Sequence, residues 1–120
     1  MATIKSYTDI EQSKKLAEIL PLDSVDYHYI AQGEKSYFYP YSLSSDAIKD
    51  YDEEIKYIPC WSLAALLFIL DFPALTQEKD DEWEVCVCDY DNDGYIEEIA
   101  SNPVDACYKM ICWLKENGKL

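Results

Sequence analysis

The stretch WEVCVCDYDNDGYIEEIASNPVDACYKMICWL, residues 83–114, decides the fold. In its opening WEVCVC, large apolar side chains alternate with Glu and Cys, and this period of two is typical of a half-buried strand. Helix signals follow: Asn102 is a favourable N-cap, Pro103 suits the first helical position, and Gly118 can end the helix in a left-handed conformation. The stretch therefore predicts two strands joined by a turn, and a helix that packs on their sheet. The apolar face of this helix comprises Val104, Cys107, Met110, Ile111 and Leu114.

The turn lies in DYDNDGYIEEIA, residues 89–100, where three aspartates at alternate positions precede Gly94. The spacing matches the front of an EF-hand calcium loop, but the twelfth position, where that loop has a bidentate glutamate, is Ala100. It is also similar to the DxDxDGxxD calcium loops of integrin β-propellers, with Glu97 at the ninth position. The alternative is a plain hairpin with a type I turn at residues 92–94 and a left-handed glycine. The calcium ligands of the first hypothesis are Asp89, Asp91, Asp93, Tyr95 and Glu97.

The N-terminal part of the chain predicts one helix and one hairpin. Thr8 and Glu11 have the spacing of a capping box, and Pro21 stops a helix, so we expect a helix over about residues 9–20. Runs rich in Tyr and Phe on both sides of a glycine, within residues 25–41, favour a two-stranded hairpin. Its tyrosines form either a protein-interaction surface or the half-buried face of a sheet. They are Tyr27, Tyr29, Tyr37, Tyr39 and Tyr41.

The middle of the chain predicts a buried helix between less regular segments. Residues 58–70, IPCWSLAALLFIL, form the longest apolar run, and Ser62 is a suitable N-cap for a helix that is apolar on every side and must be enclosed. Before it, residues 42–57 suit either a short helix capped by Ser45 or a solvated connection. After it, residues 76–82 have the composition of a polar linker.

These elements follow one another as helix, two strands, a connection, helix, two strands and helix. We therefore expect an α+β fold, in which a small, mainly antiparallel sheet of two hairpins packs against a buried central helix and an amphipathic C-terminal helix. A chain of 120 residues is close to the common domain size, so residues 1–120 are expected to form a single domain.

The charge of the chain restricts its partners. There are 24 acidic and 10 basic residues, which gives a net charge of −14. Nucleic acids and anionic membranes attract basic surfaces, so both are disfavoured as partners. The longest apolar run, 13 residues, is also shorter than the roughly 20 that a membrane span needs. A basic protein, a cation, or no partner at all remains.

The five cysteines and the single histidine offer little catalytic chemistry. An odd number of cysteines, with no apolar signal segment at the N-terminus, predicts a reducing cytoplasmic location. We interpret the cysteines as small hydrophobic residues rather than zinc ligands, because the spacing of Cys86 and Cys88 is not that of a zinc knuckle. His28 has no nucleophile beside it in the sequence.

Two segments, PCWSLAALL at residues 59–67 and NPVDACYKMICWL at residues 102–114, resemble a group of small uncharacterised proteins from Bacteroides-type gut bacteria, their phages and mobile elements. The opening TDIEQSKKLAEILPLDS at residues 8–24 is similar too. In that group a β-hairpin joins the two helices. The resemblance implies a cytoplasmic accessory role and supplies no site residue.

The sequence therefore favours a non-enzymatic accessory or interaction protein of a phage or mobile element. It is expected to bind a protein partner of basic character through its acidic edge or its tyrosine-rich hairpin. A calcium-binding hairpin module at residues 89–97 is the alternative, and a small enzyme that uses His28 is the third hypothesis. No cofactor other than calcium is expected.

Overall fold

The computed structural model describes residues 5–32, 35–36, 40–42 and 55–120. Contacts among them group the chain into two compact units. The first unit extends from Tyr7 to Ala65, and the second comprises Leu66 to Leu120 with Lys5 and Ser6. The single domain expected from the chain length stays a prediction.

The described residues of the first unit include an N-terminal helix and a three-stranded antiparallel sheet. Its elements are α1 (Ile10–Ala17), a 3-10 turn (Leu22–Ser24), β1 (Tyr27–Gln32), β2 (Lys35–Ser36) and β3 (Ile55–Cys60). The strand order is β2-β1-β3, with β1 in the centre. The predicted hairpin is confirmed, because β1 and β2 pair antiparallel from Gln32 and Lys35 outward.

Strand β3 was not predicted, because the sequence analysis assigned residues 58–60 to the central apolar run. It pairs along the whole of β1, from Tyr27 opposite Cys60 to the far end of both strands. Pro59 fits there because β3 is an edge strand, where a missing backbone N–H leaves no ladder partner unpaired. The predicted Ser45 cap and the rest of residues 43–54 lie outside the described residues.

Helix α1 begins one residue later than the predicted capping box. The Asp9 carboxylate accepts the Gln12 backbone N–H at 2.8 Å, and the Gln12 side chain accepts the Asp9 N–H at 3.1 Å. The predicted pair of Thr8 and Glu11 is wrong because the Thr8 hydroxyl is buried and bonds other groups. The regular helix also ends before Pro21, at Ala17.

Helix α2 (Leu63–Ile69) has the predicted cap, since the Ser62 hydroxyl accepts the Ala65 N–H at 3.2 Å. It is not enclosed on every side as expected. Leu66 and Leu70, one turn apart, are buried, whereas Phe68 is 91% exposed. Phe68 lies about 200° around the helix from Leu66, so the two side chains leave opposite faces.

The second unit contains a three-stranded antiparallel sheet of order β4-β5-β6. Its strands are β4 (Ala74–Lys79), β5 (Glu82–Asp89) and β6 (Gly94–Ala100). The predicted strand WEVCVC is confirmed as part of β5, with Val85 and Val87 buried. The predicted linker at residues 76–82 is wrong, because most of it forms β4, an edge strand whose polar side chains are exposed.

Helix α3 (Pro103–Glu116) packs on β5 and β6 and follows the prediction closely. The Asn102 side chain accepts the Asp105 N–H at 2.9 Å, and Gly118 takes a left-handed φ of 66°. The predicted face is the buried one. It comprises Val104, Cys107, Met110, Ile111 and Leu114, joined by Pro103 and Ala106.

The protein thus has an α+β fold, as predicted. The strands, however, form two separate three-stranded sheets rather than one sheet of two hairpins. The two strands absent from the prediction, β3 and β4, account for the difference. Each adds an edge strand to one predicted hairpin.

Candidate functional site

The β4-β5-β6 sheet has an inner face, which packs on α3, and an opposite outer face. The outer face is defined here by the alternate residues of β5 and their cross-strand neighbours. Because Val85 and Val87 are buried against the inner side, the intervening side chains of β5 point outward. The outer-face residues are Ala74, Thr76, Glu78, Glu84, Cys86, Cys88, Tyr95, Glu97 and Ile99.

Three glutamates crowd together on this outer face. Glu84, on the central strand, has Glu97 of β6 and Glu78 of β4 as diagonal neighbours. A hydrogen bond shared with Glu97 raises the pKa of Glu84, and the negative charges of Glu97 and Glu78 raise it further. The outer face therefore concentrates negative charge at this point.

The crowding gives a pH-dependent prediction for Glu84→Gln. A carboxyl whose pKa is higher in the folded than in the unfolded protein destabilises the fold at pH values above both pKa values, and not below them. The variant should therefore be more stable than the wild type at pH 7. The gain should disappear below about pH 4, where glutamates are protonated in both states. Urea unfolding at pH 7 and pH 3.5 measures it.

Glu18→Gln is the matched control, because it removes one exposed carboxylate from the first unit. It should show a smaller change between the two pH values. An equal gain for both variants at pH 7 would mean that net charge, and not the crowding around Glu84, is responsible.

The tip of the β5–β6 hairpin differs in one detail from the predicted turn. Asp89 pairs with Gly94, which leaves a four-residue loop at residues 90–93. The left-handed residue is Asp93, with a φ of 55°, and Gly94 has no positive φ. The prediction that Gly94 is required for its left-handed conformation is therefore wrong. Aspartate tolerates this region better than most residues, which lets it take the place of glycine.

Substitution should affect the stability at Asp93 and leave it nearly unchanged at Gly94. Asp93→Gly removes a strained side chain and should stabilise the protein by about 0.5–1 kcal/mol. Gly94→Ala should change the stability by less than about 0.5 kcal/mol, because the added Cβ meets only the Asn92 carbonyl oxygen, at 3.9 Å. Chemical denaturation of both variants is the measurement. A large loss of stability for Gly94→Ala would instead support the predicted turn, in which Gly94 is left-handed.

Lys119 bridges two of the predicted calcium ligands. Its Nζ lies 3.0 Å from Asp89 Oδ1 and 2.8 Å from Asp91 Oδ2. Asp89 also accepts the Asn92 side-chain amide at 2.9 Å and the Asp91 N–H at 3.3 Å. The bonds from Asn92 and Lys119 lower the pKa of Asp89, and the two carboxylates raise that of Lys119. An ammonium group thus lies where the sequence predicted a metal ion.

The remaining calcium candidates are spread around the hairpin. Asp93 is exposed at the tip, and Tyr95, opposite Cys88, has a ring that is 72% exposed. Glu97 lies on the outer face, whereas Asp89 points to the inner side. Among the residues that the structure describes, no three His, Cys, Asp or Glu side chains are arranged to hold a metal. Calcium binding stays a prediction from the sequence that this geometry does not favour.

The predicted tyrosine surface is divided between the interior and the outside of the first unit. Tyr29 is buried, and its hydroxyl donates to the Thr8 carbonyl oxygen at 2.7 Å. Burial, and after it the neighbouring Cys60, raise the pKa of Tyr29. Tyr27 is half-buried, and its ring lies 5.3 Å from that of Tyr7. Tyr41 is exposed. Tyr37 and Tyr39 lie outside the described residues.

His28 and the Cys60 thiol do not form a catalytic pair. On β3, Pro59 lies opposite His28 and Cys60 lies opposite Tyr27, so the imidazole and the thiol leave opposite faces of the sheet. Burial lowers the pKa of His28, whose ring stands edge-on to Tyr57 at 6.4 Å. Burial also raises the pKa of Cys60 and opposes thiolate formation.

The other cysteines are distributed in a way that only partly matches the prediction of buried hydrophobic residues. Cys107 is fully buried, and burial raises its pKa to about 12. Cys86 is half-buried and Cys88 is exposed, both on the outer face. The helix with Cys107 packs on the inner face, so Cys86 and Cys88 point away from it.

Sequence reasoning missed Lys119 and Ile99. Gly118 was recognised as a helix terminator, and that signal could have shown that the next residue turns back over the helix end. Ile99 lies opposite Glu84 on the outer face and is 46% exposed. Side chains alternate between the two faces of a strand. Counting from the apolar Val85 and applying the hairpin register would therefore have predicted that Ile99 lies on the outer face.

Comparison of the chain with protein-family models, curated protein sequences and solved structures found no match. None of the helices in the described part of the chain has the length and apolar character needed to cross a membrane.

Proposed function

We propose that this protein is a non-enzymatic interaction protein that binds a basic protein partner on the outer face of the β4-β5-β6 sheet. The observation that carries the proposal is the crowding of Glu78, Glu84 and Glu97, which raises the pKa of Glu84. Lysine or arginine side chains of a partner would relieve this repulsion. Part of the electrostatic gain would therefore be realised only on binding.

The same face carries apolar side chains next to the charges. Tyr95 is 72% and Ile99 46% exposed, and they flank Glu97 along β6. An exposed aromatic ring with a polar tip is a common anchor in protein interfaces, and carboxylates are common in their rims. This combination supports a protein partner, since a simple counterion would need no apolar contact.

The proposal places the protein in the cytoplasm as an accessory protein of a phage or mobile element. The resemblance of residues 59–67 and 102–114 to small proteins of that origin supports this context. The net charge of −14 supports a basic partner, and a protein that itself binds nucleic acid is one such partner.

Affinity capture with Glu84→Gln/Glu97→Gln tests the proposal. The wild-type chain is immobilised, proteins retained from a host lysate are identified by mass spectrometry, and the purified candidate is titrated by calorimetry. We expect a basic partner whose affinity falls at least tenfold in the double variant and falls as the salt concentration rises. Tyr95→Ala should weaken binding without changing the salt dependence.

The matched control is Glu18→Gln/Glu116→Gln, which removes the same charge from exposed positions elsewhere. It should bind the partner nearly as well as the wild type. An equal loss of affinity in both double variants would show that only net charge matters. It would contradict the proposal that the partner binds on the outer face. Binding that is insensitive to salt and to both variants would contradict an electrostatic interface.

A further inference from the structure

A cleft of about 330 Å³ lies on the inner side of the β5–β6 hairpin, within the second unit. Its floor is apolar and includes Leu70, Val87, Ile96 and Leu114. Acidic and aromatic groups form its rim, and its volume is within the range of sites that hold a small group. The rim residues used below are Asp71, Asp89, Tyr90, Asp91 and Lys119.

The chain itself provides a cation for this cleft. Gly118 N–H donates to the Lys115 carbonyl at 3.2 Å, and Lys119 N–H donates to the Leu114 carbonyl at 2.8 Å. With the left-handed Gly118, these two bonds form a Schellman motif, which turns the chain back over the end of α3. The motif fixes the Lys119 backbone so that its ammonium group reaches Asp89 and Asp91. Leu120, the next residue, also lines the cleft.

One lysine leaves the rim with excess negative charge. Asp71 is a third aspartate of the rim, and its charge raises the pKa of the Tyr90 phenol. Tyr90 lines the cleft and is 72% exposed, and the face of an aromatic ring attracts cations. Asp91, one of the two carboxylates that hold Lys119, has a side chain that is 77% exposed. The Lys119–Asp91 ion pair is exposed on its Asp91 side and contributes little to stability, so a second ammonium group can compete for Asp91. The Lys119–Asp89 ion pair is more enclosed, with side chains that are 19% and 12% exposed.

We propose that this cleft binds a lysine side chain followed by an aliphatic residue of the protein partner, and that Lys119 and Leu120 are its internal substitute. The chemistry of the internal occupant identifies the ligand: an ammonium group for the aspartate pair and an aliphatic side chain for the floor. The inference rests on the proposed function, because it takes the ligand to be part of a protein. The cleft then selects among basic partners that the outer face attracts.

The test is a titration of the full chain with acetyl-Lys-Leu-amide, followed by amide and methyl NMR. We expect shift changes at Val87, Ile96 and Leu114. Lys119→Met should bind the peptide about tenfold more tightly than the wild type, because it lacks the internal competitor. Asp91→Asn should bind it several-fold more weakly. Circular dichroism of both variants shows that they remain folded.

Two further ligands define what the cleft recognises. Acetyl-norleucine-Leu-amide lacks the ammonium group, and pentylamine lacks the second side chain. Equal affinity for the norleucine peptide, equal affinity for pentylamine, or weaker peptide binding by Lys119→Met would each overturn the inference. Absence of shifts in both the wild type and Lys119→Met would do so as well.

The outer-face variants separate this inference from the proposed function. Glu84→Gln/Glu97→Gln should weaken partner capture and leave the peptide titration unchanged. If capture depends on these glutamates but the peptide does not bind, the outer-face function stands and the cleft proposal falls. If the peptide binds as expected but no basic partner is captured, the proposed function falls, and with it the assignment of the ligand to a protein.

Discussion

Trp61→Ala is expected to lower the free energy of unfolding by about 3–5 kcal/mol, the range for removing a large aromatic side chain from a core. Trp61 is fully buried and is the largest such side chain among the described residues. Its indole N–H donates to the Ser24 hydroxyl at 2.9 Å. Alanine would leave a cavity and remove that donor. Urea unfolding followed by circular dichroism measures the loss.

Two variants show which property of Trp61 matters. Trp61→Phe keeps an aromatic ring but loses the indole N–H, so it should cost about 1–2 kcal/mol. Phe68→Ala removes an aromatic side chain that is 91% exposed and should change the stability by less than about 0.5 kcal/mol. If Trp61→Ala lowered the free energy of unfolding no more than Phe68→Ala, we would conclude that Trp61 is not buried in solution.

The elements that the sequence predicted well carry their signals within a few residues. Asn102, Pro103 and Gly118 act through contacts one turn away or less, and all three behave as expected. WEVCVC alternates because one face is buried, so local periodicity reports tertiary burial directly. Such signals can be recognised in the sequence without knowledge of the rest of the fold.

The missed strands lack a local signal of that kind. From Thr76 onward β4 is polar on both faces, because it is an edge strand that leaves most side chains exposed, and this composition is the same as that of a linker. β3 contains Pro59, which argues against a strand until its edge position is known. Both strands exist because of a partner, β5 or β1, and pairing partners cannot be read from composition.

The candidate site was predictable only in part. The clustering of acidic residues at 89–97 was visible, but which face each side chain takes depends on the hairpin register. That register puts Asp89 and Glu97 on opposite faces and separates the predicted calcium ligands. Lys119 is 30 residues from Asp89 and reaches it only because α3 packs on the sheet.

Thr8→Val is the second large loss that we expect, about 2–4 kcal/mol. The Thr8 hydroxyl is fully buried, lies 2.8 Å from the Ser13 hydroxyl, and accepts the Trp61 N–H at 3.2 Å. Valine has nearly the same shape but no hydroxyl, so the Ser13 hydroxyl and the Trp61 backbone N–H would lose a partner inside the protein. The weaker contact of the Thr8 hydroxyl with the Cys60 thiol, at 3.6 Å, would be lost as well. Each buried polar group without a partner costs about 1–3 kcal/mol. Urea unfolding of the variant measures the effect.

Thr76→Val is the control, because Thr76 is exposed on β4 and the same change there should cost less than about 0.5 kcal/mol. A second substitution tests the mechanism. Ser13→Ala removes one of the groups that Thr8→Val leaves without this partner, so the double variant should be more stable than the sum of the single losses predicts. Coupled neighbours of this kind deviate from additivity by about 0.5–3 kcal/mol. Strict additivity would mean that the two hydroxyls do not interact, and that the loss in Thr8→Val arises at the Trp61 backbone N–H and the Cys60 thiol.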